Sequence, residues 1–196
     1  MTGQRPNLNI DELRKFAANL SESYSPLLTD DTDKFDIIDL FDYSYGILYS
    51  SSYRTRYKEL LSIDFPKVPV PKDSAMFRSV AEIGAHLRKL HLLDIPIENK
   101  LEIELLGNGD NVVSGYRFAN GKAYINRTQY FSNIREDIWD FCFAGYHGLQ
   151  KWLKDRRQQV LSAADIEHVI NVFNVFDQTE ADMALLDTIL EEYGVV

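Results

Sequence analysis

VVSGYRFANGKAYIN, residues 112–126, decides the class of fold. Two alternating runs flank Asn120-Gly121. Asn-Gly between such runs is the strongest short hairpin signal, because a two-residue turn needs positive φ at both central positions. That turn sets Phe118 opposite Ala123 and Tyr116 opposite Ile125 on one face, which reads as core. Arg117, Tyr124 and Asn126 fall on the other face, free to meet solvent or a ligand. Just upstream, LEIEL (101–105) alternates and GNGD (107–110) turns, so a small antiparallel sheet is expected at about 101–126.

Around this sheet the periodicity is helical. Residues 8–20 predict a short helix with Leu8, Leu13, Phe16, Ala17 and Leu20 near one face, and 21–34 (SESYSPLLTDDTDK) a polar connection. Residues 35–62 keep a helical spacing through Ile37, Leu40, Phe41, Tyr45, Leu48 and Tyr49, and the serines at 50–52 break or cap it into two helices. IDFPKVPVP (63–71) cannot be helix, since its three prolines remove donors and push their predecessors to extended angles. Ser74 then caps a helix over about 75–92 whose stripe is Met76, Val80, Ile83, Leu87 and Leu90.

Beyond the sheet, Asp137–Tyr146 and Gly148–Arg157 predict two helical segments or one bent one. Ser162 with Asp165 resembles a capping box opening a helix to about Asn174, and 178–193 predicts a last, acidic helix. The fold class is therefore α+β, mainly helical with a small central antiparallel hairpin or sheet. The division drawn from sequence is an N-terminal helix and linker over 1–34, then one domain over 35–196. No internal repeat or low-complexity tract is visible.

The chain has 196 residues, enough for a real core, and a formal net charge of −9 argues against a wholly basic nucleic-acid coat protein. It leaves room for a local basic surface, because steering depends on where charge lies. One cysteine, Cys142, excludes an intrachain disulfide and suits a reducing cytoplasm. MTGQRPNLNIDELRKF lacks the apolar stretch of a signal peptide, and no apolar run approaches the roughly 20 residues of a membrane span. A soluble, cytoplasmic protein is expected.

Catalytic motifs are scarce. GNGD is a turn without the Lys-Ser/Thr ending of a phosphate loop. His86 and His91 are five apart rather than four, and His147 and His168 have no partner at ligand spacing, so each reads as structural or exposed. Cys142, between Phe141 and Phe143, reads as a buried inert thiol.

Binding features are richer. YINRTQYF (124–131) brings together Tyr124, Asn126, Arg127, Gln129 and Tyr130. Amides pair with adenine in two-point fashion and guanidinium with guanine, although the same residues suit a polar hairpin end. GYHGLQKWLKDRR (145–157) puts Tyr146, Leu149, Trp152 and Leu153 on one helix face, with the Arg156 stem packing there and its head meeting an acid. His147, Lys151 and Lys154 point away and Arg157 sits at the boundary. This reads as an anchored helix with a small basic outer face. The candidate DNA-contacting set is Arg117, Tyr124, Asn126, Arg127, Gln129, Lys151, Lys154 and Arg157.

Four ordered stretches carry a resemblance: DYSYGILYSSSYRTRYKELLSIDFPKVPVPKD (42–73), FRSVAEIGAHLRKLHLLDIP (77–96), KAYINRTQYFSNIREDIWDFCFAGYHGLQKWLKDRR (122–157) and LSAADIEHVINVF (161–173). Together they cover roughly residues 39–175, and the chain there resembles the C-terminal specificity domain of Type ISP restriction–modification enzymes and related large adenine methyltransferase–restriction proteins. The resemblance implies target recognition on double-stranded DNA. It also implies a methyltransferase domain or subunit as partner, which moves a methyl group from S-adenosylmethionine to adenine N6. This chain has neither the NPPY-type catalytic motif nor the cofactor-binding glycines of that module, nor a helicase or nuclease motif. The expectation is thus a binding module without the enzyme: no cofactor in this chain, and no membrane partner. The competing expectation is a protein-interaction module that docks on a methyltransferase or another partner without touching DNA.

Overall fold

The computed structural model describes residues 9–26, 31, 33–143 and 145–196. Leu8, expected on the first helix, and part of the expected polar connection, 27–30 and 32, lie outside the described residues. The chain divides into two compact units, one from residues up to Asp94 together with Ala181–Val196, the other Ile95–Glu180. The boundary drawn from sequence at 34/35 falls inside the first unit.

The first unit opens with α1 (Ile10–Leu20), whose first N–H groups are satisfied by the Asn9 side chain, and a two-residue parallel pair, β1 (Ser23–Tyr24) with β2 (Lys34–Phe35). Asp36 and Asp39 form a capping box at the start of α2 (Ile37–Tyr49). Ser50 does what the serine run predicts. Its N–H closes α2 on the Gly46 and Ile47 carbonyls, and its hydroxyl accepts from Tyr53 N–H to open α3 (Ser51–Arg56). After α4 (Lys58–Ile63) the proline-bearing segment from Asp64 to Pro71 is non-helical, as expected, although Ile63 still belongs to the helix; α5 (Ser74–His91) follows. The cap of α5 is Asp73, one residue before the expected Ser74; its carboxylate accepts from Met76 N–H at 2.8 Å.

α2 and α5 pack almost backbone to backbone. A Cβ on Gly84 would lie 1.9 Å from the Asp42 carbonyl oxygen, so only hydrogen fits there. The same contact is stapled by Arg88, whose Nε and Nη2 donate to the two carboxylate oxygens of buried Asp42 at 2.6 and 2.9 Å. Tyr43, Ile47, Phe77, Val80 and Leu87 fill the core, joined by Phe35, Leu186 and Leu190.

The second unit holds a four-stranded antiparallel sheet in the order β3 (Leu105–Leu106), β6 (Tyr130–Phe131), β5 (Lys122–Tyr124), β4 (Arg117–Ala119). Asn120 and Gly121 turn with φ of 53° and 72°, and Phe118 pairs with Ala123, both as the Asn-Gly signal predicts. The alternation in 101–104, however, makes no strand. Side chains capture its N–H groups instead: Asn174 Oδ1 takes Leu101, Asn99 Oδ1 takes Ile103, and Ser132 Oγ takes Glu104.

The helix expected over 137–146 is also replaced. α6 (Glu136–Trp139) is one short turn, followed by a hairpin of β7 (Cys142–Phe143) and β8 (Tyr146–His147). Gly145, at φ 84°, supplies the left-handed residue this tight reversal needs. The break exposes Cys142, against the buried thiol expected from its apolar neighbours, and leaves Tyr146 68% exposed rather than on the buried face.

α7 (Gly148–Asp155) and α8 (Ala163–Glu192) complete the element order. Ser162 and Asp165 form the expected capping box: Asp165 N–H donates to Ser162 Oγ at 3.1 Å and Ser162 N–H to Asp165 Oδ2 at 3.0 Å. The two helices expected after it are one. Asn174 does not stop the helix, because its amide is turned to the Ile170 carbonyl and to Asn99 Oδ1 rather than to its own backbone. The second core gathers Ile103, Val113, Ala123, Ile125, Phe131, Ile134, Ile138, Leu149, Leu153, Val169 and Phe173. The fold is α+β, mainly helical with a small antiparallel sheet.

Candidate nucleic-acid interface

Alternation along the strands sorts this sheet into two faces. Leu105, Phe131, Ala123 and Phe118 are in register on the side of the core, where Ala123 and Phe131 are fully buried. On the opposite side Leu106, Tyr130, Tyr124 and Arg117 are successive partners, one residue from each strand. A single transverse row therefore runs across the open face. Arg117 lies over this row, its guanidinium carbon 3.5 Å from the Tyr124 ring centroid. Lys122 Nζ is 4.5 Å from the Tyr130 centroid, and the two tyrosine rings are 5.2 Å apart. Lys122 was not among the expected contacts, although its spacing of two from Tyr124 places it on this face.

Two adjacent hollows follow from this arrangement. The first is lined by Ser114, Gly115, Tyr116, Arg117, Tyr124, Asn126 and Arg127. The second shares Gly115 and Tyr116 and adds Val113, Leu153, Lys154 and Arg157. Six of the eight residues expected from sequence, Arg117, Tyr124, a half-buried Asn126, Arg127, Lys154 and Arg157, thus gather on either side of Tyr116.

The two amides do something other than what their residue types alone imply. Gln129 is 3% exposed. Its Oε1 accepts from Asn111 N–H (2.9 Å) and Asn126 Nδ2 (3.0 Å), while its Nε2 donates to Asn111 Oδ1 (2.7 Å). Asn126 Oδ1 accepts from the N–H groups of Thr128 and Gln129, and its Nδ2 donates to the Val112 carbonyl as well. Neither Asn126 nor Gln129 therefore presents a free amide on this face. Burial obliges the Gln129 amide to find protein partners, and the half-buried Asn126 amide is bonded within the protein too. What they build is a rigid turn with Arg127 exposed at its tip.

The helix of the KWLKDRR stretch divides similarly. Leu149 and Leu153 are buried and Trp152 is half-buried, as the periodicity predicts. Arg156 stacks on Trp152, its guanidinium carbon 3.6 Å from the ring centroid, and its Nε reaches Asp165 Oδ1 at 3.4 Å, the expected acid. The Ser162 hydroxyl, with Ser162 N–H and Arg156 as lesser causes, holds the Asp165 carboxyl below its usual range. Lys151 points outward but its ammonium is engaged by Asp155 at 2.5 Å. Lys154 and Arg157 are exposed, and their charged groups carry no ion pair among the described residues.

No group of three or more His, Cys, Asp or Glu among the described residues could hold a metal ion, and no described helix is long and apolar enough to cross a membrane. The hollow in the first unit, lined by Tyr53, Tyr57, Leu60 and Phe65 among others, is mainly apolar and contains none of the expected contacts.

Comparison with known proteins bears on this surface. The sequence profile described as the Type ISP C-terminal specificity domain matches residues 1–185. No curated protein sequence matches the chain. Among solved structures, the DrdV–DNA complex is similar with a TM-score of 0.66 and 17% identity over 96% of this chain and 20% of that one. The ATP-dependent Type ISP restriction-modification enzyme LlaBIII bound to DNA is similar with a TM-score of 0.60 and 18% identity, over 93% and 12%. A nuclease-deletion mutant of the Type ISP enzyme LlaGI in complex with a DNA substrate mimic has a TM-score of 0.55 and 22% identity, over 77% and 13%. The chain thus spans between 12% and 20% of the length of these proteins, and at such identities the likeness is one of fold.

Proposed function

This chain belongs to the Type ISP C-terminal specificity-domain family, and from that premise we propose that its second unit binds double-stranded DNA as the target-recognition part of a restriction–modification adenine-N6 methyltransferase system. The observation that carries the reading is the gathering of Arg117, Arg127, Lys154 and Arg157 around Tyr116 on a chain whose net charge is −9. A basic patch on an otherwise acidic molecule is a local attractor for phosphate, while the remaining surface keeps the module off random polyanion. The matched proteins solved with DNA are consistent with this reading.

Methyl transfer, with its S-adenosylmethionine, we assign to a methyltransferase domain or subunit with which this chain works. A second role favoured by a specific observation is docking on that partner through the first unit, where Leu60, Ile63 and Phe65 are 63%, 83% and 89% exposed. Exposed apolar side chains that lie together can serve a protein contact, and Leu60 and Phe65 line one hollow. Fluorescence anisotropy with labelled duplex over a salt series tests the main reading. Binding in the roughly 10⁻⁴–10⁻⁶ M range, weakening steeply with salt, is expected for the chain alone. No binding even at low salt leaves only the docking role.

A further inference from the structure

We propose that Arg127 reads a guanine edge in the major groove, and that Asn126 and Gln129 are the positioning residues that hold it there; the inference rests on the DNA-binding reading above. The turn from Tyr124 to Tyr130 is over-determined. Ile125 N–H donates to the Gln129 carbonyl at 3.1 Å, closing the turn, and Asn126 Oδ1 takes two N–H groups inside it. Gln129 then ties the turn to Asn111, and the Thr128 hydroxyl ties it to the Asn108 carbonyl at 2.8 Å. Side chains thus fasten the residues on both sides of Arg127 to a second loop. The side-chain bonds of Asn126, Thr128 and Gln129 lie outside the registered pairs of β5 with β6, Ala123–Phe131 and Tyr124–Tyr130.

Arg127 itself is exposed, and its guanidinium has no ion pair, hydrogen bond or ring contact among the described residues. Its basic neighbours differ. Arg117 lies over Tyr124, Lys122 sits over Tyr130, Lys151 is held by Asp155, and Arg156 by Trp152 and Asp165. Lys154 and Arg157 are free as well, but they sit at and beyond the last turn of α7 rather than on a braced tip. Phosphate tolerates a mobile cation, whereas a base edge must be met at a fixed position. A guanidinium fork matches O6 and N7 of guanine in two-point fashion with a planar, preorganised pair of donors, whereas an ammonium reaches them only as a mobile point charge. A free fork on a turn locked by the bonded amides of Asn126 and Gln129 has the form required of a base reader.

The test selects duplexes from a randomised pool with the 196-residue chain and with Arg127→Lys, Arg127→Ala and Gln129→Met, and sequences what is retained. Wild type is expected to enrich guanine at one position. Arg127→Lys keeps the charge, so its non-specific affinity should stay within about twofold, while preference at that position falls roughly 5- to 150-fold, the worth of one good bidentate contact. Replacing that guanine with 7-deazaguanine, which lacks N7, should weaken wild type and leave Arg127→Lys unchanged. Gln129→Met should relax the same position, with circular dichroism confirming a folded chain. Unaltered preference in Arg127→Lys, or an equal loss on all sequences, would overturn the assignment to a base. Binding by wild type without any preference overturns it too while sparing the DNA-binding reading; no binding by wild type removes both.

Discussion

The guanidinium of Arg117 lies 3.5 Å from the centre of the Tyr124 ring, across the register pair that joins β4 to β5. The stack places the cation over an exposed sheet face and restricts its rotamers before any ligand arrives. Coupling between such partners at an exposed site is typically about 0.5–1 kcal/mol. A double-mutant cycle of Arg117→Ala and Tyr124→Leu in urea denaturation should return that coupling, with each single change costing little. In anisotropy titrations both single variants should weaken DNA binding, and the double variant no more than Arg117→Ala alone. Additive losses in either experiment would mean that the stack does not organise the arginine.

Three neighbours on α7 should respond differently to truncation. Leu153 is fully buried, so Leu153→Ala should cost about 2–5 kcal/mol by lost transfer energy and the cavity left behind. Trp152 is half-buried and shares its ring with Arg156 and His168, so Trp152→Ala should cost less, roughly 2 kcal/mol. Lys151→Ala gives up one exposed i,i+4 pair and should change stability by no more than about 0.5 kcal/mol. Chemical denaturation followed by circular dichroism ranks them. An order with Trp152 above Leu153 would place the anchor of the helix on the wrong residue.

The features legible in the sequence are those settled within a few residues. The Asn120-Gly121 turn, the Ser162–Asp165 capping box and the Ser50 break depend on local backbone chemistry, and each forms as its residues dictate. What was illegible depended on distant partners. LEIEL alternates like a strand, yet the N–H groups of 101–104 go to Asn99, Ser132 and Asn174, the last of them 73 positions from Leu101. Asn174 reads as a helix end until its amide is seen turned to Ile170 and Asn99. The candidate site shows the same split. Residue type placed Arg117, Arg127 and Arg157 on the surface, because charge seeks water whatever surrounds it. It did not reveal that the amides of Asn126 and Gln129 bond within the turn, because an amide serves a packed turn as readily as an open face.

Where α2 meets α5 the absence of a side chain is structural. Gly84→Ala would bring a methyl group to 1.9 Å from the Asp42 carbonyl oxygen, a backbone atom that cannot swing aside. The helices must separate, which also stretches the Arg88–Asp42 pair. The loss should reach at least the roughly 1–3 kcal/mol of an overpacked core. The measurement is the midpoint of thermal unfolding, which should fall by several degrees. An unchanged midpoint would show that the two helices are not held at this spacing.

Burial, reinforced by nearby His86, holds the His91 imidazole below its ordinary pKa of 6.5. The Tyr45 hydroxyl is 2.9 Å from its Nδ1, and the Tyr49 ring packs 4.9 Å away. In the unfolded chain His91 takes up a proton near its ordinary pKa, whereas in the folded chain it does so only at lower pH. The unfolded state therefore binds more protons in that window, and stability falls as pH drops below about 6.5. His91→Gln removes this contribution. The wild-type denaturation midpoint should fall more than the variant's between about pH 8 and pH 5.5. Parallel pH profiles would mean that His91 protonates as freely in the fold as out of it.

The lysines and arginine around α7 can be separated by salt. Lys154 and Arg157 line the hollow beside Tyr116 with their charges unpaired, while the ammonium of Lys151 already rests on Asp155 at 2.5 Å. Each cation that neutralises a DNA phosphate releases condensed counterion and adds about 0.9 to the slope of log affinity against log salt. Lys154→Ala with Arg157→Ala should therefore lower the magnitude of that slope by up to about 1.8 and weaken binding about equally on all sequences. Lys151→Ala should leave the slope nearly unchanged, because an ammonium already neutralised by Asp155 releases no counterion from DNA; the freed carboxylate adds only a screened repulsion. The three proteins are compared on one duplex of mixed sequence by anisotropy across a salt series from about 50 to 200 mM. A slope that changes for Lys151→Ala and not for the double variant would move the phosphate track to the outer face of α7 and away from Tyr116.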